Sequence, residues 1–332
     1  MRFLELFSGI GGMHVALKES GIDFEVVLAV DINEVANKVY KYNFPETKLL
    51  QKNIQSLTKT FIDELDINGI LMSPPCQPFT RLGNKKDIED KRCSALSHLT
   101  DLIPELDTKL KYILLENVKG FEVSEARNAL VKRLEGSFEI REFLLTPLNF
   151  GIPNSRLRYY LLAKRKPLEF KFDNKLHTFI PGSKEELVKD ISKYIELSDN
   201  NENNDYTLSL ETLAKRVWVI DIVNKTSKNS CCFTKSYGRF LEGTGSLYSP
   251  LQANRIAEIR SSLRDCEKES FNKALSSLKL RYFTPTEVKR LMCFNKEYSF
   301  PDSVTLKQTY NLLGNSVNVK VVSELLKVLI ND

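Results

Sequence analysis

The 332-residue sequence lacks the features that membrane-spanning, metal-binding and secreted proteins require. It has no run of about 18 apolar residues, so we predict no membrane span and no membrane partner. Its six cysteines show no CxxC spacing and are accompanied by three histidines, which predicts free thiols and no metal site. The first residues, MRFLELFSGIGG, do not have the pattern of a signal peptide. We therefore expect a cytoplasmic protein, with the nucleus as a second location.

Positive charge is concentrated in the C-terminal third of the chain. Residues 211–290 contain 15 Lys and Arg against 8 Asp and Glu, whereas the whole chain has a formal net charge of +5. Such a concentration is typical of a surface that faces nucleic acid. On this observation alone, a solvated and charge-rich surface is an equally good interpretation.

Strand-like and helix-like segments alternate over the first 165 residues. This alternation predicts an α/β fold with a mostly parallel sheet and helices on both faces. The predicted strands are 2–7, 26–30, 69–72, 111–115, 140–145 and 159–163. The predicted helices are 13–20, 33–43, 123–134 and 317–329, the second of them with Asn33 as its N-cap.

The alternation ends after residue 166, which predicts two structural units. Residues 167–280 show no βα pattern, and we expect them to form a smaller domain. The final amphipathic helix, 317–329, is expected to pack back on the first unit. The predicted large domain therefore comprises residues 1–166 and 281–332.

A glycine turn follows the first predicted strand. Phe7-Ser8-Gly9-Ile10-Gly11-Gly12 allows the backbone to approach a ligand closely. Asp31 lies at the end of the next strand, where a carboxylate can accept hydrogen bonds from ribose hydroxyls. The pair indicates an adenosine-containing cofactor, although a structural turn accounts for the glycines equally well.

Cys76 lies in the proline-rich segment Ser73-Pro74-Pro75-Cys76-Gln77-Pro78 after the third predicted strand. The prolines fix φ and prevent a helix, so the segment presents the thiol rigidly at the carboxyl end of a strand. The alternative is a small buried hydrophobic residue, which is the commonest role of a free cysteine.

Three further segments carry groups that suit catalysis. Glu116, after the strand 111–115, can donate a proton if burial raises its pKa; an ion-paired surface Glu is the alternative. Arg156 and Arg158 alternate along an extended segment and can hold a base carbonyl or a phosphate, or lie on the surface. The segment 314–317 (GNSV) is expected to open the last helix, either at a polar ligand or simply as an N-cap.

Taken in order, these motifs resemble those of the cytosine-C5 methyltransferase superfamily. FSGIGG is similar to its first cofactor motif, PPCQPF to its nucleophile motif, ENV to its acid motif, NSRLR to its arginine motif and GNSV to its last motif. The resemblance implies a Rossmann-like fold with a mixed, mostly parallel sheet, a smaller target-recognition domain, and S-adenosylmethionine as the methyl donor. It implies catalysis by Cys76, Glu116, Arg156 and Arg158. The implied cofactor contacts are Phe7, Gly9, Ile10, Gly11, Gly12, Asp31, Asn53, Ile54, Ser73, Pro75, Asn315 and Ser316.

A narrower resemblance lies in the basic region. Cys232-Phe233-Thr234, followed by Tyr237 and by GTGS at 243–246, resembles the signature of the eukaryotic tRNA (cytosine-5) methyltransferases, which modify cytosine 38 of an aspartate tRNA. The resemblance implies a monomer that binds tRNA, with weak DNA binding as a secondary property. Phe240 departs from the signature, which has a second Tyr there. The implied substrate contacts are Cys232, Phe233, Thr234, Lys235, Tyr237 and Arg239.

Two other functions stay open at this point. The same catalytic groups serve a DNA cytosine-C5 methyltransferase, in which the duplex base must be flipped out of the stack. A protein that binds RNA without turnover is the alternative from another class. The intact set Cys76, Glu116 and Arg158 favours an enzyme over a binding protein.

Overall fold

A computed structural model describes residues 1–75, 94–196, 206–264 and 267–331. Their centre is a sheet in the strand order β3-β2-β1-β4-β5-β7-β6-β8. Among the described residues, no helix is long and apolar enough to cross a membrane. The strands of this sheet are β1 (Arg2–Leu6), β2 (Glu25–Asp31), β3 (Leu49–Gln51), β4 (Gly69–Met72), β5 (Tyr112–Val118), β6 (Phe138–Leu145), β7 (Arg158–Arg165) and β8 (Leu176–His177).

The sheet is mixed and mostly parallel, as predicted. β3, β2, β1, β4 and β5 run parallel to one another, whereas β7 is antiparallel to both β5 and β6. The central strands of the parallel half are mostly apolar because both faces of the sheet are covered, although Glu5 in β1 and Glu116 in β5 are buried there as well. The α/β, Rossmann-like prediction is confirmed.

Helices cover the two faces of the sheet and bury two separate apolar clusters. One face packs against α1, α2 and the last helix, and the other against α3, α4 and α5. The helices are α1 (Gly12–Ser20), α2 (Glu34–Asn43), α3 (Lys59–Asp63), α4 (Ser94–Leu102), α5 (Glu125–Leu134), α6 (Leu210–Arg216), α7 (Ala253–Ser262), α8 (Lys268–Ser277), α9 (Pro285–Leu291), α10 (Leu306–Asn315) and α11 (Val319–Asn331).

Local sequence sets several of these boundaries. The Asn33 side chain accepts hydrogen bonds from the amides of Val35 and Ala36, so α2 has the predicted N-cap. α1 begins and ends at glycines in the left-handed conformation, Gly11 at φ 80° and Gly21 at φ 74°. The last helix packs against α1, so the unit around the large sheet is built from both ends of the chain.

Two expected boundaries are wrong. Glu116 does not follow a strand but lies inside β5, because pairing with β7 extends β5 to Val118. Gly314 and Asn315 do not open the last helix: they end α10, and α11 begins only at Val319. The GNSV segment therefore ends α10 and begins the connection to α11.

A smaller unit contains the sheet β11-β10-β9. β9 (Asp221–Val223) is parallel to β10 (Ser246–Tyr248), which is antiparallel to β11 (Arg281–Tyr282). Residues of α6, α7 and α8 close a third apolar cluster over this sheet. The domain limits 166/167 and 280/281 stay a prediction.

Candidate active site

A cavity of about 590 Å³ opens at the carboxyl ends of β1, β2, β4 and β5. Ligand sites of open α/β sheets lie at this edge. Most of the expected cofactor residues line the cavity; they are Phe7, Gly9, Ile10, Gly12, Asp31, Asn53, Ile54, Ser73, Pro75, Asn315 and Ser316. Gly11 is not among the lining residues. A side chain at Gly11 would overlap the ring of Phe44, so this glycine permits packing behind the loop.

The glycine loop between β1 and α1 is held by Asp31. Phe7 and Gly9 have φ of 53° and 52°, so the chain turns sharply here. The Gly9 amide donates to Asp31 Oδ2 over 2.8 Å, and the Asn33 amide donates to Oδ1 over 2.8 Å. Asp31 therefore orders the loop and also lines the cavity. Burial raises the pKa of its carboxyl, although backbone amides oppose the rise.

A buried polar chain supports this loop from below. The Tyr40 hydroxyl donates to Glu5 Oε2 over 2.8 Å and lies 2.9 Å from Nδ1 of His14, whose ring stacks on Phe44. Burial raises the pKa of Glu5 to about 8 and lowers the pKa of His14 to about 3. A second tyrosine, Tyr298, donates to the carbonyl of Ile10 over 2.5 Å. These groups support the loop and are not among the residues that line the cavity.

Glu116 and Arg158 meet at the cavity because their strands are antiparallel neighbours. Glu116 lies opposite Tyr160, and Arg158 is two residues from Tyr160, so both side chains share one face of the sheet. Arg158 Nε lies 3.4 Å from Glu116 Oε1. Burial raises the pKa of Glu116, and the charges of Arg158 and Arg156 oppose this rise only in part. A carboxyl with a raised pKa beside a guanidinium can donate a proton and stabilise negative charge.

Arg156 lines the same cavity, but its guanidinium is used mainly to join segments. Nη1 donates to the carbonyl of Phe233 over 3.1 Å, and Nη2 donates to the carbonyls of Gly314 (3.1 Å) and Ser316. Its Nε is buried without a partner among the described residues. Arg156 thus connects Cys232-Phe233-Thr234, the CFT segment, with the α10–α11 connection, whose residues Ser316 and Val317 line the cavity.

Gly314 brings these two segments into direct contact. Its Cα packs so closely against the backbone of Thr234 and Lys235 that an added Cβ would overlap both. The Asn311 side chain also donates to the carbonyl of Lys235 over 3.3 Å. As a result, Lys235 lines the cavity together with Glu116.

Of the expected substrate contacts, Lys235 lines the cavity, whereas Cys232, Phe233, Thr234, Tyr237 and Arg239 are not among its lining residues. Cys232 Sγ lies 3.5 Å from Arg156 Nη1 and 3.7 Å from Arg158 Nη2. Burial raises the pKa of this thiol, but the two guanidiniums outweigh burial and hold it below its usual value. Phe233 and Tyr237 are buried, and the Tyr237 hydroxyl donates to the carbonyl of Ser246 over 2.7 Å. Phe233 and Tyr237 are therefore core residues that support the site, whereas Arg239 is exposed.

The predicted nucleophile, Cys76, lies outside the described residues. The residues that lead to it are placed at the cavity. Ser73 Oγ donates to the carbonyl of Phe7 over 3.2 Å, and Asn117 donates to the carbonyl of Pro74 over 3.4 Å. Pro75 lines the cavity. Residues 73–75 thus connect the glycine loop with β5, the strand that carries Glu116.

Several residues of the cavity were not among the expected cofactor contacts, and Ile32 and Ser8 are two of them. Ile32 is 68% exposed although it is apolar, and it lines the cavity beside Asp31. The hydroxyl of Ser8 is buried without a partner among the described residues. Ile32 could have been found as an apolar residue directly after the acid at a strand end. No pattern in the sequence predicts that the Ser8 hydroxyl is buried.

Comparisons with known proteins agree with this geometry. Residues 1–331 match the family model described as C-5 cytosine-specific DNA methylase. The chain is 47% identical to a tRNA (cytosine(38)-C(5))-methyltransferase of Spodoptera frugiperda, covering 99% of this chain and 98% of the relative. The human protein of the same name is 41% identical, with 99% of both chains covered.

A relative named DNA (cytosine-5)-methyltransferase, from Dictyostelium discoideum, is 40% identical over 100% of this chain and 94% of its own length. The crystal structure of a Spodoptera frugiperda DNMT2 mutant superposes with a TM-score of 0.90 at 46% identity, covering 99% of each chain. The resemblance drawn from the motifs is confirmed. This chain belongs to the C-5 cytosine-specific DNA methylase family and, within it, to the branch of the proteins named tRNA (cytosine(38)-C(5))-methyltransferase.

Proposed function

We propose that this chain transfers a methyl group from S-adenosylmethionine to C5 of a cytosine in tRNA, namely cytosine 38 in the anticodon loop of tRNA-Asp. The observation that carries the proposal is the pairing of Glu116 with Arg158 in the cavity that the glycine loop closes. The chain leads from Pro75, on the same cavity, directly to Cys76. In this proposal the nucleophile Cys76, the acid Glu116 and the cation Arg158 act on the same cytosine.

The chemistry assigns a role to each group. Cytosine C5 is a weak nucleophile until the thiolate of Cys76 adds at C6, which makes C5 enamine-like. Negative charge then develops at N3 and O2 of the ring. Glu116, protonated because burial raises its pKa, donates to N3, and Arg158 stabilises O2. With S-adenosylmethionine bound, C5 gains the methyl group and S-adenosylhomocysteine is left. Loss of the C5 proton to water, return of the N3 proton to Glu116 and departure of the Cys76 thiolate then release 5-methylcytosine.

The cavity fits S-adenosylmethionine, which supplies an electrophilic methyl group when bound. The carboxylate of Asp31 suits the ribose hydroxyls, and the exposed side chain of Ile32 provides an apolar face for the adenine. The Ser8 hydroxyl, buried without a partner in the described part of the chain, and the Gly9–Gly12 loop suit the polar amino-acid end. Asn53 and Ile54 also line the cavity, on the side that we assign to the adenine.

The CFT segment supports tRNA as the substrate. Arg156 and Gly314 hold this segment against the cavity, so the substrate meets the basic region as it reaches Glu116. An anticodon loop already contains unstacked bases, whereas duplex DNA must first lose its stacking. We further propose that the enzyme acts as a monomer in the cytoplasm and nucleus, with weak DNA binding as a secondary property.

The test is methyl transfer from labelled S-adenosylmethionine to a tRNA-Asp transcript and to a transcript with uridine at position 38. We expect label only in the first. Cys76→Ala abolishes transfer, whereas Cys293→Ser, at a cysteine that does not line the cavity, keeps it. Equal labelling of both transcripts would refute the proposed target.

Two controls address the alternatives. Duplex DNA that is labelled faster than tRNA would establish a DNA methyltransferase instead. RNA containing 5-fluorocytosine blocks loss of the C5 substituent and so should trap a covalent adduct with Cys76. RNA binding without any adduct or turnover would establish a binding protein.

A further inference from the structure

Two exposed aromatic rings in the smaller unit each lie beside an arginine. Trp218 is 43% exposed, and the guanidinium carbon of Arg264 lies 5.8 Å from its ring centroid. Phe240 is 53% exposed, with the guanidinium carbon of Arg239 at 5.0 Å. Large aromatic side chains on a surface are typical of binding sites, and arginine strengthens their interaction with flat ligands.

The two pairs lie at the same end of the smaller sheet. β9 and β10 are parallel, with Asp221 opposite Ser246, so the residues that precede both strands lie at one edge. Trp218 is three residues before Asp221, and Phe240 is six residues before Ser246. An ion pair of 3.4 Å between Arg216 and Glu242 joins the two preceding segments directly.

This edge is connected to the catalytic cavity. The Ser246 hydroxyl donates to Asp221 and accepts from the Cys231 amide over 2.8 Å. The next residue, Cys232, contacts Arg156 and Arg158 in the cavity. The edge and the cavity are therefore linked through two consecutive residues, Cys231 and Cys232.

We propose that Trp218 and Phe240, each with its arginine, form a stacking platform for unpaired bases of the RNA next to the target cytosine. Aromatic rings and guanidinium planes are the groups on which proteins stack single-stranded bases. The surrounding residues 211–290 carry an excess of seven positive charges, which suits a phosphate backbone. This inference depends on the proposed function, because it takes RNA as the substrate. Duplex DNA keeps its bases stacked inside and offers no face to these rings.

The chain contains one tryptophan, so its fluorescence reports on the platform directly. We expect tRNA-Asp, titrated without cofactor, to quench the emission of Trp218 to a saturable level. N-acetyltryptophanamide corrects for absorption by the RNA, and Trp218→Phe removes the signal. Absence of saturable quenching, or equal quenching by duplex DNA or by polyglutamate, would overturn the platform.

Steady-state kinetics give an independent test. Trp218→Ala should raise KM for tRNA about tenfold, since stacking contributes to binding alone, and leave kcat within about twofold. Trp218→Phe keeps a stacking face and should recover most of the affinity. The matched control is Tyr42→Ala, which removes an exposed aromatic side chain on α2 and should leave KM unchanged.

The stacking platform and the proposed function can fail independently of each other. If tRNA is methylated but Trp218→Ala leaves KM unchanged, the platform is wrong and the function stands. If tRNA quenches Trp218 but is not methylated, the platform stands as an RNA contact and the proposed function fails.

Discussion

Oε1 of Glu116 lies 3.4 Å from Nε of Arg158 across two antiparallel strands. The pair is buried at the cavity, so two opposing influences act on the carboxyl. Burial raises its pKa, and the neighbouring guanidinium charge lowers it, with burial prevailing. The carboxyl thus keeps a proton at higher pH than an exposed Glu, while the arginine stays available for charge on the base.

Glu116→Gln should lower kcat for methyl transfer about 100-fold, because an amide can donate a hydrogen bond but cannot transfer a proton. In the wild type, kcat/KM should fall as pH rises through the raised pKa of Glu116, since the acid form is required. The variant should lack this alkaline decline. Glu135→Gln, at an exposed Glu after α5, serves as the control. An unchanged pH profile in Glu116→Gln would exclude Glu116 as the acid.

The two arginines should respond differently to substitution by lysine. Arg158→Lys should lower kcat about 100-fold, because a point charge does not reproduce the guanidinium beside the ring oxygen. Arg156→Lys should lower the free energy of unfolding by about 2 kcal/mol, because carbonyls of two chain segments lose buried donors. Urea denaturation and single-turnover kinetics measure the two effects. Equal losses of stability in both variants would contradict this division.

Gly314→Ala should separate the CFT segment from the α10–α11 connection. The added Cβ overlaps the backbone of Thr234 and Lys235, which cannot move as a flexible side chain can. We expect a loss of about 1–3 kcal/mol in unfolding free energy and a larger KM for tRNA. Gly136→Ala, where an added Cβ meets nothing within 4 Å, is the matched control. Wild-type stability and KM in Gly314→Ala would show that this contact is unimportant.

Glu5 makes the free energy of unfolding of the protein depend on pH. Its pKa in the folded protein is about 8, above the ordinary 4.5, so the folded state binds the proton more tightly. This contribution is complete below pH 4.5 and is lost as pH rises to about 8. Glu5→Gln should therefore gain stability over the wild type at alkaline pH, by up to a few kcal/mol, and little at pH 5. Urea denaturation at both pH values measures it, and equal differences at both would refute the assignment.

The sequence predicted the parallel half of the fold well because the information there is local. Strand 69–72 is an apolar run that ends at a turn, and Asn33 caps its helix as its side chain dictates. The position of Glu116 inside β5 was missed because pairing with β7, more than 40 residues later, extends the strand. The sequence of β5 alone does not show which later strand pairs with it.

Most of the expected cofactor residues line one cavity, whereas the roles of the site residues stay predictions. Motif order led to the expectation that Asp31, Glu116 and Arg158 meet at one edge of the sheet, and all three line the cavity. The expectation that Arg156 acts on the base did not include its bonds to Phe233 and Gly314, which depend on contacts between distant segments. Trp218 gave no motif signal, because the arginine beside its ring, Arg264, is distant in the sequence.

The packing of α11 against α1 has a consequence for synthesis of the protein on the ribosome. α1 carries the glycine loop at its start, and part of its apolar face is covered by α11, whose residues lie near position 320. The ribosome must therefore release nearly the whole chain before this part of the face is shielded from water. Until then the nascent N-terminal half exposes an apolar surface, which makes it a substrate for chaperones.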